Sequence, residues 1–166
     1  MPILDDRSLE FLSHSPEQTQ RLGMRLGELL KPGDLVCLAG DLGSGKTTLT
    51  QGVARGWGSV DQVTSPTFVL INEYRRAGAA TLYHFDAFRL RDASEARGLG
   101  LSELLDKGGP VLIEWPERVS ELLPTTRLWI DLRWVDEMKR GLRISASGAR
   151  PERLLRDFRK VAFGGA

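Results

Sequence analysis

Three side chains in this sequence have the type and setting to act on a phosphate: Lys46, Asp86 and Glu114. Lys46 lies in the run Gly40-Asp41-Leu42-Gly43-Ser44-Gly45-Lys46-Thr47, which fits the phosphate-binding loop (P-loop, Walker A) pattern G-x-x-x-x-G-K-S/T. Glycines let the backbone curl until several N–H groups point into one concavity. A helix that starts there adds the positive end of its dipole. The expected division of labour follows. Lys46 meets the β- and γ-phosphates, the Thr47 hydroxyl ligates Mg2+, and Thr48 offers a second hydroxyl near the α-phosphate. Asp41 and Leu42 fill the free positions of the loop and contribute backbone rather than side chain.

Such a loop needs an acid to hold the metal's hydration shell, at the end of a neighbouring strand. Glu114 follows the apolar run Val111-Leu112-Ile113, and Asp86 ends the run from Leu82 to Phe85. Acids at the carboxyl ends of strands sit in the crevice where α/β sheets bind ligands. One acid is expected to hold the ion and the other to orient or deprotonate the attacking water. The residues alone leave open which does which. Glu117 is a weaker competitor. His84 shares a strand face with Asp86 and is a candidate supporting residue. Arg89 reads either as an arginine finger or as a partner for Asp86.

Elements must hold these groups in place. "SPEQTQRLGMRLGELLKPG" reads as a first helix with Ser15 as N-cap, Pro16 at its first position and Gln18 closing a capping box. "DLVCLAG" is a strand buried on both faces, leading into the glycine loop and then the helical stretch "TTLTQGVARGW". "TFVLINEY" and "ATLYHFDAF" form a hairpin around "RRAGA". "ASEARGLGLSELLDK" reads as one or two short helices broken at glycine, "GPVLIEW" as a second fully buried strand, and "PERVSELL" as a helical turn. "RLWIDLRWV" and "GLRISASG" are two late strands joined by "DEMKR", and "RPERLLRDFRK" is a short basic helix. The alternation predicts one α/β domain over residues 1–166: a three-layer P-loop NTPase-like fold around a mixed, largely parallel sheet. The basic helix at 151–166 has no role in this reading.

Composition bounds the rest. A formal charge of +1 over 166 residues gives no overall bias toward nucleic acid or membrane. No apolar run approaches the ~20 residues of a membrane span, and "MPILDDRSLEF" is too acidic for a signal peptide. The single cysteine, Cys37, sits in an apolar run and reads as a small buried hydrophobe. A soluble cytoplasmic protein is expected. The absence of an N-K-x-D base-reading segment favours adenine over guanine.

Four motifs stand in one order: "GDLGSGKTT", "SPTFVL" from Ser65 to Leu70, "YHFDAFRL", and "IEWPE" from Ile113 to Glu117. Together they resemble the TsaE family (also called YjeE), over about Ser15 to Ala146. These are bacterial P-loop ATPases of tRNA N6-threonylcarbamoyladenosine synthesis. The resemblance implies that the loop residues Asp41, Leu42, Gly43, Ser44, Gly45, Lys46, Thr47 and Thr48 cradle ATP. It implies Thr47 and Glu114 on the metal side for Mg2+, and Asp86, in H-x-D-x-Y/F-R-L, as a catalytic position beside Lys46 and Glu114. Trp115 is expected near the site or at a partner surface, and "SPTF" in a switch-like segment from which Thr67 reaches the phosphates. Arg140 is expected to touch the nucleotide, and the segment around Ser15 and Pro16 to pack on the base. Phe88 stands where the family usually has Tyr. The implied partners are TsaB and TsaD subunits, with tRNA held mainly by TsaD and contacted only indirectly here. Hydrolysis is expected to be slow without them. The alternatives are a small-molecule kinase on the same fold and a nucleotide-sensing binding module that does not hydrolyse.

Overall fold

The computed structural model describes residues 5–61, 71–76, 78 and 80–164. Of the expected elements, the first part of "TFVLINEY" and the "SPTF" residues Ser65, Pro66 and Thr67 lie outside these.

The order along the chain is β1 (Ser8–Ser13), α1 (Pro16–Leu29), β2 (Leu35–Ala39), α2 (Lys46–Trp57), β3 (Ile71–Tyr74), β4 (Leu82–Asp86), α3 (Ala93–Gly98), α4 (Leu101–Asp106), β5 (Val111–Glu114), β6 (Arg127–Trp134), β7 (Arg140–Ser147) and α5 (Ala149–Phe163). Two short 3-10 turns, Pro116–Arg118 and Ser120–Leu122, separate β5 from β6. The strands form one seven-stranded sheet in the order β1-β7-β6-β2-β5-β4-β3. The middle block β6-β2-β5-β4 is parallel, while the β1–β7, β6–β7 and β3–β4 pairs are antiparallel. Both hairpins expected from the sequence are present, and they make the sheet mixed.

Apolar alternation builds the layers. Val36, Leu38 and Leu112 point to a core shared with α1, α2 and α5, whereas Leu35, Cys37, Val111 and Ile113 point to a second core under α3, α4 and the 3-10 turns. Strands buried on both faces need continuous apolar runs, as "LVCLA" and "VLIE" supply. Cys37 is fully buried, and burial pushes its thiol up to about 12, so it stays protonated and unreactive.

Helix α1 begins as its cap residues dictate. The Ser15 hydroxyl accepts from the Gln18 N–H at 3.1 Å, and Gln18 Oε1 accepts from the His14 N–H at 2.7 Å, one residue before the expected capping-box position. Strand β1 has no counterpart in the sequence reading. The terminal helix α5, left without a role there, is structural. Leu154, Leu155 and Phe158 enter the first core, and Arg150 grips both carboxylate oxygens of Asp34 at 2.9 Å each and the Leu29 carbonyl at 3.0 Å.

Helices α1 and α2 meet backbone to backbone. Gly23 and Gly27 of α1 face Gly52 and Gly56 of α2. A Cβ on Gly52 would run into the Gln20 carbonyl oxygen, one on Gly56 into that of Met24, and one on Gly27 into that of Val53. Alanine in a helix normally gains about 1 kcal/mol over glycine. Here the added carbon meets main chain, which cannot swing aside, and overpacking costs about 3 kcal/mol at the upper end. Gly52→Ala is therefore expected to destabilise by about 2 kcal/mol, lowering Tm by roughly 4–8 °C. Gly98→Ala, where a Cβ meets nothing within 4 Å, is the control and should not lower Tm. Thermal melts of the two variants check this.

Candidate functional site

Strand β2 ends at Ala39 and α2 starts at Lys46, so the glycine loop spans the carboxyl end of a central strand and the amino end of a helix. Gly40, Gly43 and Gly45 have φ of 148°, 81° and 105°, values that side chains disfavour. At Gly40 the need is also steric, because a Cβ would run into the Leu132 carbonyl oxygen. Gly45 caps α2 without a side-chain hydrogen bond, leaving the first-turn N–H groups facing the loop. The Ser44 N–H donates to the Asp41 carbonyl at 3.1 Å, closing a turn. The Ser44 hydroxyl is buried with no hydrogen-bond partner among the described residues. Asp41, Leu42 and Gly43 are exposed, and Thr47 and Thr48 are half-buried in the first turn of α2.

Lys46 is buried. Its Nζ donates to the Gly40 carbonyl and to that of Asp41 at 3.0 Å, and lies 4.6 Å from the centroid of the Trp115 ring. Burial holds its pKa below the usual lysine value, with Glu114 and then Asp86 pulling it back. Both acids are therefore close enough to feel the ammonium.

The two acids stand side by side. In the parallel β4–β5 pair, Asp86 is in register with Glu114, and Glu114 is in register with Leu38 of β2. Of the two acid-bearing strands only β5 adjoins the loop-bearing strand, whose other neighbour is β6. β4 is one strand further out, so Asp86 reaches the site from beyond Glu114 rather than from a second flanking strand. Glu114 is buried at 4% exposure, and its Oε2 lies 2.8 Å from His84 Nε2. His84 Nδ1 lies 2.9 Å from the Tyr74 hydroxyl. Asp86 is half-buried, and its Oδ1 accepts from the Phe88 N–H at 2.9 Å. Burial raises its pKa above the usual aspartate value, the Phe88 N–H opposes that, and the neighbouring Glu114 adds to the rise. Arg91, close by in the chain, pairs with Glu95 at 3.4 Å.

Trp115 has φ 56°, the one positive φ outside glycine among the described residues. Such a conformation in a bulky residue costs about 1–3 kcal/mol and persists where the surroundings over-determine it. Here the Trp115 N–H donates to the Leu38 carbonyl at 3.2 Å, the Phe88 ring packs at 4.9 Å between centroids, and Lys46 lies under the indole. On the other side of the loop, the Arg140 stem passes 3.5 Å from where a Gly45 Cβ would stand. Arg140 Nη1 donates to the Asp136 and Lys139 carbonyls at 2.6 and 2.9 Å, and its Nε is buried with no hydrogen-bond partner among the described residues.

The structure thus brings together Lys46, Thr47, Glu114, Asp86, Trp115 and Arg140 around one loop. Ser15 spends its side chain on capping α1. Tyr74 was missed by sequence reasoning. Its only signal is its place in the β3–β4 hairpin, where register decides which side chains meet.

Among the described residues no group of three His, Cys, Asp or Glu side chains could hold a metal by itself. A hydroxyl beside carboxylates, completed by ligand and water oxygens, is the hard-oxygen set that suits Mg2+. The unpartnered Ser44 hydroxyl and the N–H groups of the loop suit phosphate oxygens. No helix among the described residues is long and apolar enough to cross a membrane.

The profile of the family described as "Threonylcarbamoyl adenosine biosynthesis protein TsaE" matches residues 13–142. The tRNA threonylcarbamoyladenosine biosynthesis protein TsaE of Bacillus subtilis (strain 168) is 39% identical over 152 residues, covering 92% of this chain and 94% of that one. The protein of the same name from Treponema pallidum (strain Nichols) is 37% identical over 134 residues, covering 81% and 98%. That from Nostoc sp. (strain PCC 7120) is 41% identical over 147 residues, covering 86% and 88%. The crystal structure of Bacillus subtilis YdiB superimposes with a TM-score of 0.77 at 34% identity, covering 97% of each chain.

Proposed function

The chain belongs to the TsaE family of threonylcarbamoyl adenosine biosynthesis proteins, and from that premise we propose that it binds MgATP and hydrolyses it to ADP and phosphate within the tRNA N6-threonylcarbamoyladenosine machinery. One observation carries the reading: Lys46 heads α2 in a glycine loop, with Glu114 ending the adjacent strand and Asp86 in register beside it.

The roles follow from position. The loop N–H groups and Ser44 hold phosphate oxygens, and the Lys46 ammonium offsets charge that develops on them. Thr47 and Glu114 would hold Mg2+, which would offset negative charge on the phosphates. Asp86 orients the attacking water and accepts its proton, a task that its raised pKa suits. Arg140 closes the loop on the side away from the acids. The partners are TsaB and TsaD subunits, which the hydrolysis cycle resets, while tRNA is held elsewhere in the assembly.

The test is phosphate release from MgATP by the purified chain, with and without candidate small-molecule acceptors and with and without TsaB and TsaD. Release that needs no acceptor and rises with the partners is expected. Strict dependence on an acceptor would make the protein a kinase, and retention of intact ATP in every condition would make it a binding module.

A further inference from the structure

Tyr74, His84 and Glu114 come from the neighbouring strands β3, β4 and β5 and are buried to 1%, 2% and 4% exposure. Their polar ends form a chain: Tyr74 hydroxyl to His84 Nδ1 at 2.9 Å, and His84 Nε2 to Glu114 Oε2 at 2.8 Å. The apolar neighbours on this face are Leu82 and Leu112, in the core that also holds Trp57.

For an ionised Glu114 and a neutral His84 ring the direction of the chain follows. An ionised carboxylate only accepts, so Nε2 must carry the proton that faces Glu114. In the neutral ring Nδ1 is then an acceptor, and the Tyr74 hydroxyl must donate to it. Burial pushes the Tyr74 phenol up to about 12, so the donor keeps its proton at working pH.

We propose that Tyr74 and His84 are positioning residues for Glu114, together holding one of its oxygens so that the carboxylate presents a fixed edge to the metal side of the glycine loop. This rests on the reading of Glu114 as the metal-side acid. A hydrogen-bonded second residue that orients a ligating group is what tunes metal sites generally. The chain also reaches from the site to the outer edge strand of the sheet, so β3 belongs to the site although none of its side chains lines the loop in this reading.

The test measures Mn2+ binding, by electron paramagnetic resonance, to the full chain loaded with a non-hydrolysable ATP analogue. Nucleotide affinity without metal and Tm are measured alongside. Glu114→Gln should weaken Mn2+ binding. If it does not, the metal reading of Glu114 falls and the positioning role falls with it. Given that loss, His84→Ala should weaken Mn2+ binding by about 10–100-fold, with metal-free nucleotide affinity unchanged and phosphate release recovering at high Mg2+. His84→Gln, whose amide can donate to Glu114, should recover part of the loss. Unchanged Mn2+ affinity in His84→Ala, or an equal fall in metal-free nucleotide affinity, overturns the proposal and leaves the chain as a tie between strands. Tyr74→Phe keeps the packing, and it decides the matter if His84→Ala does not fold. It should weaken Mn2+ binding and shift the His84 Nδ1 signal toward that of an acceptor that has lost its donor, with the Nε2 proton still donated to Glu114. No change in either overturns the proposal.

Discussion

Asp86→Asn is expected to slow phosphate release by about 10²–10⁴-fold, the range for losing a general base, and to leave a protein more heat-stable than the parent. The first half follows from the place of Asp86 beside Glu114 at the strand ends. The second follows from its pKa, which burial raises above the usual aspartate value of 3.8. The folded state then holds the Asp86 proton more tightly than the unfolded state does. Stability therefore falls as pH rises from the ordinary aspartate value through the raised one, and above that window the ionised carboxylate is a standing cost. Asparagine removes the charge and keeps an oxygen to accept from the Phe88 N–H. The Tm gain should be full at pH 7 and shrink as pH falls through the window. Nucleotide affinity should hold. A variant that loses stability as well as turnover would make Asp86 a structural residue.

Lys46→Ala should abolish tRNA modification in cells that depend on this chain, and lower hydrolysis by at least about 10²–10³-fold, the usual cost of losing one charge-stabilising donor. Unlike Asp86→Asn it should also weaken ATP binding, because the ammonium meets the phosphates in the ground state too. Burial depresses the Lys46 pKa. The parent therefore gains stability from this group as pH rises through the interval below the ordinary lysine value, and the variant should lack that gain. Calorimetric ATP titration, melts at neutral and alkaline pH, and the modification level in complemented cells give the three readings. Normal modification with the alanine variant would remove the loop from function.

Those two residues were legible from sequence because their signals are local. The strand "LVCLA", the glycines and the helix are contiguous, and an acid that ends a buried apolar run needs no partner to be noticed. Ser15 announced α1 in the same way. What escaped is what distance hides. β1 is a polar-rich strand whose register with β7 pairs Ser8 with Ser145, and nothing near Ser8 announces that partner. The flanking of β2 by β5 and β6, which moves Asp86 one strand outward, is decided by packing rather than by any segment. Arg150 finds Asp34 only once α5 has docked. For that helix a signal was present, since Leu154, Leu155 and Phe158 share one helical face. His84 was visible and Tyr74 was not, because their meeting depends on hairpin register.

The glycine seam between α1 and α2 has a consequence at the level of the gene. Every glycine codon begins GG, so a change at its first or second base yields a residue with a Cβ or a stop. Gly23, Gly27, Gly52 and Gly56 all place that missing carbon against main chain of the opposite helix. In these four codons only the third, silent base is free to drift, and the helix that carries Lys46 inherits that rigidity from positions that never touch a phosphate.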